Sequence, residues 1–111
     1  MIQKQITEYV SHPGTVRIKG DTRPIKAAES ARYCLKAGIE VIEFSCMGAN
    51  ANQQAMKSMG LFMMMVESEM PGKSLAFQPL RYTSMTTSPE TGENKLKDVT
   101  IWRTLLIDAV M

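Results

Sequence analysis

Gly48-Ala49-Asn50-Ala51-Asn52-Gln53-Gln54-Ala55-Met56-Lys57 reads as a strand stopping, a small-residue turn and a helix starting. The preceding run, Ile39 to Met47, is β-branched and apolar, as a buried strand requires. Gly48 and Ala49 let backbone approach closely. Asn50 is the expected N-cap, with Gln53 placed to reach back to it. Beyond the turn, Ala55, Met56, Met59, Phe62, Met63 and Val66 recur at helical spacing, so one face of this helix is apolar and packs on the sheet.

A second stripe on the same helix, Leu61, Met64 and Met65, leaves its C-terminal half apolar nearly all round. Such a helix is not left in water. In a chain of 111 residues little remains to cover it, so a homodimer is expected. The other reading keeps these methionines as adaptable core filler.

Working outward, residues 1–13 end in the break His12-Pro13-Gly14 and read as an arm ahead of one domain over 14–111. Thr15 to Lys19 alternates strictly, with Val16 and Ile18 inward, and is the first strand. Pro24 then opens a helix to about Ala37, with Asp21 or Thr22 as its cap and Ile25, Ala28, Ala31 and Leu35 as its inner stripe. Pro71-Gly72 marks a turn. Ser74 to Thr87 is rich in strand formers, yet Pro79 confines it to an edge. Ser88 to Lys97 reads as a polar hairpin tip. Val99 to Ile107 is the last strand, with Val99, Ile101, Leu105 and Ile107 on one face and Trp102 with Leu106 on the other. The order β-α-β-α-β-β gives an α+β fold, a two-layer sandwich with both helices on one face of a four-stranded sheet.

Bulk chemistry narrows the function. A net charge of +2 does not by itself announce a nucleic-acid binder, so distribution has to carry that reading. The two cysteines, Cys34 and Cys46, fall inside a helix and a strand pattern, where small buried thiols are common. With a single His in the chain, neither a zinc site nor a cofactor is expected. No apolar run spans a bilayer and the N-terminus lacks a signal-peptide pattern, so a cytoplasmic protein without membrane contact is expected.

The element order, the turn Lys19-Gly20-Asp21-Thr22-Arg23-Pro24, and Gly48-Ala49-x-Ala51-x-x-Gln54-Ala55-x-Lys57 together resemble the stage V sporulation protein S family, relatives of the Alba chromatin proteins. The likeness spans about Thr15 to Ile107. It implies an Alba-like fold, a homodimer, and non-catalytic binding of DNA or RNA in a regulatory or architectural role. It also implies that Lys19 and Arg23 of the first loop lie on the nucleic-acid backbone while Lys95 and Lys97 of the hairpin reach into a groove. Asp21, Glu90, Glu93 and Asp98 dilute both basic segments, and the methionine-rich helix departs from the family.

The residues themselves point the same way. Arg17, Lys19 and Arg23 crowd a helix start whose free N–H groups favour phosphate, and Lys26 lies one turn on. Asn50, Asn52 and Gln53 can hydrogen-bond sugar or base edges, and Arg81 beside Tyr82 suits a base or a phosphate. Each of these also reads as ordinary structure, a solvated basic edge or a tight turn. Trp102 is expected at the dimer interface or under the arm. Glu40 and Glu43 fall on opposite sides of a strand and make no acid–base pair, and the only His sits in a turn, so no active site is expected. Two rivals remain. One is a protein-interaction or assembly module built on the apolar helix and edge strand. The other is the similarly short topology of the translation initiation factor 3 C-terminal domain, which would direct the chain to ribosomal RNA.

Overall fold

A computed structural model describes residues 11–109, so the arm expected over 1–13 falls outside the described residues up to position 10. The elements are β1 (Thr15–Ile18), α1 (Pro24–Lys36), β2 (Glu43–Met47), α2 (Ala49–Glu69), β3 (Lys73–Thr87) and β4 (Asn94–Asp108). They form one sheet in the order β1-β2-β4-β3, with β1 parallel to β2 and the other two pairs antiparallel. Both helices cover the same face, and the α+β two-layer architecture is as expected.

The core lies where α2 crosses the sheet. Phe44 of β2 meets Phe62 of α2 and Phe77 of β3 edge-on, with ring centroids 6.1 and 6.3 Å apart. Around them Val16, Ile18, Ile42, Cys46, Ala51, Ala55, Val66 and Leu75 are buried. The inner face of α1 is Ala27, Ala28, Ala31 and Cys34, which rotates the expected stripe. Small residues take the close contact, leaving Ile25 exposed and Leu35 half-buried at the rim.

Four local expectations are corrected. Neither helix is capped by a side chain: Arg23 precedes α1, and Gly48, not Asn50, precedes α2. Thr22 instead closes the preceding turn, its hydroxyl accepting from the Lys19 N–H at 2.7 Å. Gly48 has φ +90°, a conformation few side chains tolerate, and this lets α2 start immediately at Ala49. Third, β2 begins at Glu43 rather than Ile39, because the chain must first cross Gly14. A Cβ on Gly14 would stand 1.8 Å from the Val41 carbonyl oxygen. Finally, the hairpin turn is only 88–93, closed by Ser88 N–H to Glu93 O at 2.8 Å, so Lys95 and Lys97 belong to β4.

The sheet's two edges are both blunted. β3 is an edge strand, as Pro79 required. The Gly72 carbonyl accepts from Ala109, so even-numbered backbone groups of β3 face β4 and the missing N–H of Pro79 falls on the outer side. β1, at the other edge, has only four residues and turns back on itself at both ends. On β4, Val99 and Ile101 are buried while Leu105, Leu106 and Ile107 are exposed, so the strand is covered on both faces only through its middle.

Candidate nucleic-acid interface

The C-terminal ends of β1 and β2, the start of α2 and the base of the β3–β4 hairpin converge at one end of the sheet. Gln54 donates its side-chain amide to the Gly20 carbonyl at 3.3 Å, tying the β1–α1 loop to the first turns of α2. Gly20 lies so close to Asn50 that a Cβ there would be 3.2 Å from the asparagine Cβ. Lys19 and Arg23, both exposed, ride on this loop. Beside it Met47, Gly48, Asn52, Arg81, Lys97, Asp98 and Thr100 line an open depression of about 520 Å³. Because no side chain caps α2, the first N–H groups of a helix of 21 residues are open toward this corner.

The predicted residues divide by position. Arg81 and Lys97 line the depression, Asn50 and Arg23 lie beside it at the helix start and on the neighbouring loop, and Lys19 lines a separate depression with Arg17, Met47 and Ser84. Arg81 is ion-paired to Asp98 at 3.3 Å, but both side chains are more than half exposed, so that pair is weak and a phosphate can displace it. Arg17 points to the face opposite the helices, where its guanidinium donates to Ser11 at 2.7 Å. It lines a second depression along the β1 edge with Lys26, and Lys26 lies 4.0 Å from Glu29. Lys95 sits further along β4, on the same face as Lys97.

Asn52 does structural work. Its amide nitrogen donates to the Gly48 carbonyl at 2.9 Å and its amide oxygen accepts the Trp102 indole N–H at 3.1 Å. The Cys46 thiol lies 3.3 Å from the same oxygen, and burial pushes its pKa up to about 11, against a smaller opposing effect of Trp102. Trp102 therefore packs between sheet and α2. Of the other residues expected at a dimer interface, Leu61 and Met65 lean back against the core, while Met64 stands out.

A buried charge was missing from the sequence reading. Glu43 is 2% exposed on the sheet face opposite the helices, bound by Arg103 at 2.9 and 3.0 Å and by His12 at 3.2 Å. His12 Nδ1 accepts the Gly14 N–H at 3.1 Å, so its proton sits on Nε2 and is donated to Glu43. Neither imidazole nitrogen is left to act on a substrate. Among the described residues no three His, Cys, Asp or Glu side chains are grouped to hold a metal, and no helix is long and apolar enough to cross a membrane. Gln54 was quoted only as part of a motif and given no role, since that role depends on a loop more than thirty residues away.

Compared with known proteins, the chain matches no family model, and no curated protein matches it.

Proposed function

We propose that this protein is a non-catalytic binder of DNA or RNA, of regulatory or architectural type, acting in the cytoplasm as a dimer. The observation that carries the reading is the corner itself: an uncapped helix start flanked by Lys19, Arg23, Arg81 and Lys97 on three separate elements. Cations and backbone N–H groups gathered at one end of the sheet suit a phosphate chain. The resemblance to the stage V sporulation protein S and Alba proteins supports the same ligand and a shared Alba-like fold. Both cysteines are unpaired and buried, in keeping with a reducing compartment.

The test is a gel-shift series with DNA and RNA over a salt gradient, using wild type, Arg23→Glu and Lys97→Glu. Binding at low salt that falls as salt rises, and weakens in both variants, is the expected result. No shift of either nucleic acid by micromolar protein at low salt sinks the proposal.

The exposed methionines of α2 favour a second reading, an assembly module that recruits another protein. A retained partner in the absence of any nucleic-acid binding would select it.

A further inference from the structure

β1 is open along its outer edge at Arg17. The Gly14 carbonyl accepts from the Glu43 N–H at 2.9 Å, so the even-numbered backbone groups of this strand turn to β2 and the odd-numbered ones turn outward. The Thr15 N–H is taken by the His12 carbonyl at 2.9 Å, and Thr22 takes both main-chain groups of Lys19. Among the described residues, neither the N–H nor the carbonyl of Arg17 has a partner.

That edge runs beside a groove of about 590 Å³ between β1 and α1. Its floor is Val16, Cys34 and Pro13, and the Cys34 thiol donates to the Pro13 carbonyl at 3.7 Å. The end of α1 therefore lies by the start of β1, which leaves Lys26 by the end of β1. Lys26, Ser30 and Tyr33 recur at helical spacing and form the far wall. Tyr33 is 74% exposed, more than any other large apolar side chain among the described residues. A tyrosine standing over an apolar floor is the kind of side chain that a bound partner buries. Two cations, Arg17 and Lys26, against one anion, Glu29, leave the rim positive. The Lys26–Glu29 contact, at 4.0 Å and well exposed, is weak enough for another carboxylate to replace.

An open strand edge beside an apolar furrow suits an extended peptide, whose main chain pairs with the strand while alternate side chains drop into the groove. An antiparallel peptide makes both bonds to Arg17 through one of its own residues, whereas a parallel one needs two. Running antiparallel to β1, it sets the residue before the paired one opposite Ile18, near Lys26, and the residue after it opposite Val16, beside Tyr33. We infer that this groove binds another protein through an extended segment, laid antiparallel along β1, that carries an acidic side chain two residues before an apolar one. Lys26, expected from the sequence on nucleic acid, serves this groove.

The test pans a phage-displayed library of random peptides of about seven residues on the full chain. Enriched peptides should share an acidic residue and, two positions on, a leucine, isoleucine, valine or phenylalanine. One of them, made synthetically, should shift the Arg17 amide in an NMR spectrum, and methylating the nitrogen of its residue opposite Arg17 should weaken it about tenfold. Tyr33→Ala and Lys26→Ala, both at exposed positions, should keep the wild-type circular dichroism and each bind the peptide about tenfold less tightly. No enrichment, peptides that bind Tyr33→Ala as tightly as wild type, or an Arg17 amide that does not move overturns the proposal. So does a dimer of this chain that Tyr33→Ala dissociates, because a second copy would then occupy the groove.

Discussion

Gly14 shows how one atom can decide an element boundary. With a Cβ 1.8 Å from the Val41 oxygen and 3.0 Å from an Ile39 methyl, Gly14→Ala must push β1 and the approach to β2 apart. We expect a loss of about 3 kcal/mol, read as a lower urea midpoint, and an unchanged midpoint would refute the close approach. Glu43 makes a parallel case. Removing it leaves Arg103 and His12 without their shared anion and opens a hole beneath them, so Glu43→Ala should cost about 3 kcal/mol in the same assay. Neither residue was legible in the sequence. Gly14 read as part of a turn signal, and Glu43 as one face of a strand, because the groups that bury them come from the 39–42 approach and from β4. Asn52 misled in the opposite sense: a polar residue opening a helix looks available, and only the fold brings Trp102 and Cys46 to its amide.

At the scale of elements, α1 and α2 are pinned at one end by Arg32 and Glu69, joined at 2.6 Å with Lys36 nearby at 3.8 Å. The hydrogen bond from Arg32, before the charges of Arg32 and Lys36, holds the Glu69 carboxyl below its ordinary value of 4.5. Because the folded value is the lower one, this contribution is complete above 4.5 and disappears as pH falls through the folded value. Glu69→Gln should therefore melt below wild type at pH 7, with the gap narrowing as pH falls below 4.5; a gap that does not narrow would show that the pair is not the cause. β3 carries a second prediction. Pro79→Thr restores an N–H on the outer edge of a strand of fifteen residues, and should raise light scattering at high concentration without moving the monomer's circular dichroism. No rise would show that the proline is not what keeps this edge unpaired. Periodicity made the elements themselves readable, and Pro79 gave away the edge. Their ends were not readable, since Lys95 to Lys97 look like loop until the ladder with β3 carries them beyond the other strands.

For the whole molecule, the cation corner sums contributions from a loop, a helix start and a hairpin, and salt dependence counts them. Each charge that neutralises a phosphate steepens the fall of log affinity with log salt by about 0.9 for duplex DNA. Lys19→Ala and Lys97→Ala should each flatten that slope by about one, whereas Lys26→Ala, on the β1 side of α1, should leave it unchanged. Equal effects from all three would mean a diffuse basic surface instead of a corner. The strand order has a further consequence for synthesis. β4, made after the other three strands, occupies an interior place between β2 and β3, so the sheet stays in two parts until it emerges. Val99 and Ile101 supply the missing middle, and until they emerge the earlier strands present unsatisfied flanks that a chaperone would have to shield.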